Sequence, residues 1–167
     1  MLDLKLSTAV YVFNGLLTKA ELAEADRTRL MKLLYLTNIA YLAPMAVPTP
    51  VGTPFADYHY TAFPNGPLEE YVYSYIEKVR RYAQAEMLDD GIAKMMAPYK
   101  QTLDAAITQV RDVFVPKETS WLINFTHNGL SEWAKTEIKE KLAFNGGYGK
   151  ECADYRSYIN FVQNNNA

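Results

Sequence analysis

The hydrophobic residues of the chain recur at helical spacing, and the longest segment with this pattern runs from Asp26 to Leu42. Apolar side chains would fall on nearly every side of a helix formed by that segment, which is typical of a helix enclosed by others. Only Thr28, Arg29 and Lys32 share one narrow sector, so we expect that strip alone to reach water. The pattern predicts a central buried helix at about 26–42.

Asn38 lies outside that polar strip, on a side of the helix that the pattern predicts to be buried. A buried amide that lacks hydrogen-bond partners costs about 1–3 kcal/mol. We therefore expect Asn38 to bond to a neighbouring loop or helix and so to brace the bundle. A contact with a ligand is the alternative.

Shorter amphipathic segments predict the helices that surround the central one. They lie at 6–17, 68–82, 92–96, 99–114, 119–126, 131–143 and 151–162. Thr18 and Glu21 have the spacing of a capping box, which predicts a short helix before Asp26 caps the central one. Pro67 suits the first position of the helix over 68–82, because proline favours that position.

Prolines interrupt the helical pattern between residues 44 and 54, where four of the eight prolines of the chain lie. Residues 58–63 then alternate and include Tyr and Thr, which favours a strand. Residues 64–67 have the composition of a turn. The fold class predicted from the whole pattern is mainly α: a single-domain helical bundle around the helix at 26–42, with a small β element near 47–63.

The segment over 68–82 carries a broad apolar stripe in which tyrosines predominate. The stripe consists of Leu68, Tyr71, Tyr75, Val79 and Tyr82. Aromatic residues at this spacing usually belong to the core, so we expect these tyrosines to be buried. An exposed interaction surface is the alternative.

The composition supports one domain over 1–163 and a disordered tail over 164–167, since 49% of the 167 residues are hydrophobic. The net charge of −2 argues against direct binding of nucleic acid, which usually requires a basic face. Cys152 is the only cysteine, so no intrachain disulfide can form, and a cytoplasmic location is expected. No apolar run approaches the ~18 residues that span a membrane.

Motifs of catalysis or metal binding are few in this sequence. One cysteine and two histidines provide no pair of metal ligands at helical or knuckle spacing. The glycine-rich run at 146–150 ends in lysine but lacks the Ser or Thr of a phosphate-binding loop. We therefore predict no catalytic residues, no metal and no cofactor; an enzyme with a site near His127 is the lesser alternative.

Three blocks in order along the chain resemble the Panacea domain, an antitoxin family that includes the SocA-like proteolytic adaptor. The first is the sequence KLLY at 32–35 followed by Asn38 and Tyr41, the second is AFPNGPL at 62–68, and the third is LINFTH at 122–127 with Trp133. The resemblance covers about residues 5 to 140. The family's mostly helical architecture with a small β element agrees with the pattern described above.

The resemblance implies a cytoplasmic protein of a bacterium or phage that neutralises a cognate protein toxin by binding it in a toxin–antitoxin system. Toxins paired with this family include small alarmone synthetases. Delivery of the bound toxin to a protease, as in the SocA-like branch, is the alternative. Structural roles are implied for the motif residues Lys32, Leu33, Leu34, Tyr35, Asn38, Tyr41, Gly66, Pro67, Thr126, His127 and Trp133.

Contacts with such a partner are expected on the irregular segment, because loops carry recognition more often than helices do. Tyr58, Tyr60 and Phe63 are the candidates, since aromatic side chains anchor many interfaces. Ordinary packing of this segment on the bundle is the alternative for all three. The pattern leaves self-association open.

Overall fold

Helices form most of the structure, a computed structural model that describes residues 2–42, 54–55, 58–63, 66–85, 90–126, 141–143 and 158–164. The helices are α1 Leu4–Leu16, α2 Lys19–Glu24, α3 Arg27–Leu42, α4 Glu70–Ser74, α5 Ile76–Gln84, α6 Asp90–Met96, α7 Lys100–Val113, α8 Thr119–Asn124 and α9 at 158–164, with a 3-10 turn at Ala97–Tyr99. The strands are β1 His59–Phe63, β2 Gly66–Leu68 and β3 Lys141–Ala143. The predicted mainly α fold is confirmed.

Side chains close in sequence cap the first three helices. Asp3 accepts a hydrogen bond from the Leu6 amide at 2.9 Å and so begins α1. Thr18 and Glu21 form both bonds of the predicted capping box at the start of α2. Asp26 accepts from the third residue of α3 at 2.7 Å, as predicted. These caps satisfy amides that a helix start leaves without partners.

α3 lies at the centre of the core, in contact with α1, α7, α8 and β2. Its apolar residues from Leu30 to Ile39 are fully buried, so the prediction of an enclosed helix is confirmed. The prediction that the polar strip reaches water is wrong for Lys32, whose exposed fraction is 1%. Thr28 and Arg29, nearer the start of the helix, are half-buried. Neighbouring elements thus cover the polar strip as well, and the aliphatic stem of lysine tolerates such burial.

Asn38 is fully buried, but the bracing role predicted for it is not seen. Neither its Oδ1 nor its Nδ2 atom has a hydrogen-bond partner in the part of the chain that the structure describes. One position earlier, the Thr37 hydroxyl donates to the Leu33 carbonyl at 2.8 Å, back along its own helix. The described hydrogen bond from this part of α3 thus stays within the helix and does not reach a neighbouring element.

The strands form an antiparallel sheet in the order β2-β1-β3, in which Phe63 pairs with Gly66 and His59 pairs with Ala143. β1 lies within the segment whose alternation predicts a strand. Pro67 belongs to β2 and does not begin a helix, so that prediction is wrong. Pairing with β1 holds residues 66–68 extended, and a proline is tolerated there because β2 is an edge strand.

Several predicted helix boundaries also differ from the structure. The helix predicted over 68–82 is divided into α4 and α5, with a break at Tyr75. The helix predicted over 131–143 is wrong at its end, because β3 occupies Lys141–Ala143; residues 127–140 lie outside the described part. The last helix extends to residue 164, which the sequence assigns to the tail. No helix among the described residues has the length and apolar character needed to cross a membrane.

Two arginines satisfy carbonyls at the ends of helices other than their own. Arg29 on α3 donates to the carbonyls of Lys117 and Val115 beyond α7, at 2.8 and 2.6 Å. Arg80 on α5 donates to the carbonyl of Ala25, the C-cap residue of α2, at 2.7 Å. Helix ends leave such carbonyls without partners inside the helix. The two side chains therefore fix α3 to the α7 end and α5 to the α2 end.

The first prediction concerns Lys32. Burial lowers the pKa of its ammonium group from 10.5 to about 8, although Asp26 partly opposes this shift. Between pH 8 and 10.5 the unfolded chain binds more protons at this site than the folded chain, so stability rises with pH. Urea unfolding at pH 7 and 9.5 should show a gain of about 2 kcal/mol that Lys32→Met removes.

The half-buried Lys78 on α5 provides the matched control, and Lys78→Met should leave that gain unchanged. An unaltered pH dependence in Lys32→Met would show that Lys32 is not buried as a titrating group.

The second prediction concerns the crossing of α1 and α7. A Cβ atom added to Gly15 would lie 2.6 Å from Cγ2 of Ile107, which is closer than atoms can pack. Gly15→Ala should therefore lower the free energy of unfolding by about 1–3 kcal/mol, measured by urea denaturation. Adding Ile107→Leu, which removes the branch at Cβ, should recover part of that loss. A Gly15→Ala variant as stable as the parent chain would contradict this close packing.

Candidate partner-binding surface

The structure places two of the three predicted contact residues inside the protein. Tyr58 and Tyr60 are buried, so the prediction that they form a contact surface is wrong. The Tyr58 hydroxyl donates to the Lys5 carbonyl at 2.6 Å, and the Tyr60 ring meets the Tyr35 ring edge-on at 4.8 Å. Burial also raises the pKa of both phenols well above the ordinary value. The reason is that both rings pack against other buried aromatic side chains, Tyr58 against Phe55 at 5.1 Å and Tyr60 against Tyr35 of α3.

Phe63 belongs to β1, but its side chain lies outside the described part of the structure. The same holds for His127 and Trp133, which lie outside the described residues altogether. Thr126 is buried and donates its hydroxyl to the Leu122 carbonyl at 2.9 Å.

The first two motif blocks meet in space. The block on α3 is buried throughout, at the residues Lys32, Leu33, Leu34, Tyr35, Asn38 and Tyr41. Gly66 and Pro67 of the second block lie in β2, which packs on α3. The first block therefore belongs to the interior of the fold, and the described strand of the second block packs against it.

Large exposed aromatic side chains occur instead on α4 and at its junction with α5. Tyr71 is 38% exposed and Tyr75 is 45% exposed, and their ring centroids are 5.1 Å apart. Val72, Ile76 and Val79 form the buried side of these helices. The prediction that the tyrosine stripe belongs to the core is thus wrong for Tyr71 and Tyr75, and the exposed alternative is the one observed. We call these two residues the tyrosine pair.

The sequence contained a signal for this arrangement. Val72, Ile76, Val79 and Ala83 also recur at helical spacing, so two neighbouring stripes compete for the core. Burying the aliphatic stripe leaves no hydroxyl without a partner, whereas a buried tyrosine needs a partner for its O–H group. The aliphatic stripe is the one that is buried, and the tyrosines are turned toward the surface.

Asp3 binds the hydroxyl group of Tyr71, one of the two residues of the tyrosine pair. Its Oδ2 atom accepts a short hydrogen bond from the Tyr71 hydroxyl, while its Oδ1 atom caps α1. The bond to the carboxylate raises the pKa of Tyr71 to about 12, because ionisation of the phenol would place two negative charges together. The N-terminus of α1 therefore holds one ring of the pair in place.

Glu69 binds the backbone of Tyr71. This carboxylate is buried, caps α4 by accepting from the Tyr71 amide at 2.8 Å, and pairs with the Lys5 ammonium at 3.0 Å. The same ammonium lies 5.5 Å from the centroid of the Tyr71 ring, within the range of a cation–π contact. α1 and α4 are thus joined by a connected set of polar contacts directly beneath the tyrosine pair.

A separate cleft of about 550 Å³ lies between α1, α6 and α7. Within it, Asp104 accepts hydrogen bonds from the Tyr11 hydroxyl and the Lys100 ammonium, each at 2.6 Å. Burial raises the pKa of Tyr11, and the bond to Asp104 adds to this effect. The bond from Tyr11 to Asp104 joins α1 to α7 across this cleft.

Metal binding has little support in the part of the chain that the structure describes. No three His, Cys, Asp or Glu side chains there are grouped so that they could hold a metal ion. The absence of metals, cofactors and catalytic groups from the whole chain stays a prediction.

Comparisons of this chain with known protein families, with characterised proteins and with solved structures find no match. The likeness to Panacea domains thus stays a resemblance carried by the three motif blocks.

The third prediction concerns the bond that orients Tyr71. Asp3→Asn keeps an oxygen that can cap α1 but removes the negative charge beside the phenol. The pKa of Tyr71 should therefore fall from about 12 toward its ordinary value of 10. An NMR titration of the tyrosine ring signals to pH 11 measures this shift. Asp26→Asn, which alters the cap of α3, should leave Tyr71 unchanged; equal titration in all three proteins would mean that Asp3 does not bind Tyr71.

Proposed function

We propose that this protein is an antitoxin that neutralises a cognate protein toxin by binding it directly in the cytoplasm. The resemblance to the Panacea domain supplies the type of partner. The observation that carries the proposal is the tyrosine pair, two adjacent aromatic side chains that the fold leaves exposed on a rigid support.

Tyrosines in this position suit the anchor residues of a protein interface. A few aromatic side chains supply most of the binding energy in many complexes, and tyrosine loses little conformational entropy when it is held. Tyr71 is already held by Asp3 in the free protein. A partner that covers the pair therefore gains apolar contact without the cost of ordering that ring.

Neutralisation by binding requires no chemistry from the antitoxin itself. A stable complex buries about 1,200–2,000 Å² in total, enough to cover an active site or to lock a toxin in an inactive conformation. Small alarmone synthetases are among the toxins that the resemblance associates with this kind of domain. The tyrosine pair would be the centre of the interface and the surrounding polar residues its rim.

The fourth prediction tests this function by co-expression with the product of the adjacent gene. Growth arrested by that product should recover when the antitoxin is present. The double variant Tyr71→Ser/Tyr75→Ser should fail to restore growth, with the dissociation constant raised about 30-fold or more. Its melting temperature should fall, because Tyr71→Ser also removes the bond to Asp3 that joins α1 to α4. The single variant Tyr75→Ser keeps that bond and should weaken rescue while its melting temperature stays close to that of the parent.

Met95 on α6 offers a matched control, since it is also apolar and is 39% exposed. Met95→Ser should restore growth as well as the parent chain does. Full rescue by the double tyrosine variant would remove the tyrosine pair from the interface, and no rescue by the parent chain would count against an antitoxin. A partner that decays faster in the presence of the chain, a protease and ATP would indicate the adaptor mechanism.

A further inference from the structure

Three tyrosines on and beside α4 differ in how their ring faces are occupied. The Lys5 ammonium lies 5.5 Å from the Tyr71 centroid, and the guanidinium carbon of Arg27 lies 5.9 Å from the Tyr73 centroid. Among the described residues, Tyr75 is the most exposed large hydrophobic side chain, and none of their cations lies over its ring. Two rings of this surface therefore hold cations from the described part of the chain, and the third holds none of them.

The charges next to the open ring favour a positive ligand. Tyr75 lies against Tyr71, and the Tyr71 hydroxyl holds the Asp3 carboxylate at the edge of the pair. Glu70, at the start of α4, is also exposed. The chain as a whole carries a net charge of −2. Two positive charges oppose them: Lys5, which is paired with the buried Glu69, and the half-buried Lys78, three residues beyond Tyr75.

Arginine fits such a surface better than lysine. Its guanidinium group is planar, stacks on an aromatic ring, and is less strongly hydrated than an ammonium group. Its N–H groups can bond a carboxylate in the plane while the face of the group covers a ring. The Tyr75 ring would supply the stacking contact, and the Asp3 carboxylate, held at the hydroxyl of the neighbouring Tyr71, would supply the hydrogen bond.

We propose that the Tyr75 ring, together with the Asp3 carboxylate held by Tyr71, is a receptor for an arginine side chain in a basic segment of the partner protein. This inference rests on the proposed function for the identity of the partner, the toxin. The arginine receptor is nevertheless a property of this chain alone and can be measured without the toxin.

The experiment is an NMR titration of the purified chain with the blocked tripeptide acetyl-Arg-Gly-Arg-amide. The control is the same peptide with citrulline, an uncharged isostere, in place of arginine. The arginine peptide should shift the Tyr75 ring signals in a saturable way at millimolar concentration, and the citrulline peptide at least about 3-fold less. Added salt should weaken the arginine effect, because the interaction is electrostatic.

Substitutions of Tyr75 test whether its aromatic ring, and not apolar contact alone, binds the arginine peptide. Tyr75→Phe should retain most of the binding, whereas Tyr75→Leu, which is apolar but lacks a π face, should weaken it about 3- to 30-fold. Lys78→Gln should strengthen it by removing the like charge. Equal shifts with both peptides, or undiminished binding by Tyr75→Leu, would overturn the proposal.

The outcomes distinguish this inference from the proposed function. Arginine binding at Tyr75 without rescue from any toxin would leave the receptor in place and remove the antitoxin role. If the chain rescues growth but does not bind the arginine peptide, the antitoxin role stands and the partner must contact the tyrosine pair through other interactions.

Discussion

Enclosure of α3 is the constraint on which the rest of the structure depends. A helix that is apolar on nearly every side has to be surrounded, and α1, α7, α8 and β2 do so. The enclosure is complete enough to bury Lys32 and Asn38, groups that would be more stable in water. The gain from excluding water from so many large apolar side chains offsets those local costs.

Polar groups at the margin of this core determine how the outer helices are placed. Glu69 is the most connected of them, because it ends the β-hairpin, caps α4 and pairs with Lys5 of α1. Asp3 adds a second connection between α1 and α4 through Tyr71. The contacts that hold α4 against α1 therefore also hold the tyrosine pair in position.

Under the proposed function, the fold and the choice of partner depend on different residues. The described parts of the motif blocks lie in the core or in the sheet packed against it, so they specify the architecture that a Panacea-like domain would share. The tyrosine pair lies outside those blocks. The exposed surface can therefore change without altering the residues that specify the architecture.

The sequence by itself determined the central helix, the caps at Thr18 and Asp26, and the strand at β1, because these depend on residues within a few positions of one another. Only the tertiary structure decided that Lys32 is covered, that β2 replaces the first turn of a helix, and that Tyr71 and Tyr75 face outward. Each of these outcomes depends on which segments, distant in the sequence, pack against each side of a helix or strand. Two apolar stripes on neighbouring sides of a helix can also compete for burial in the same core. The surface left exposed is the outcome of that competition, so the candidate site could not be located from local pattern alone.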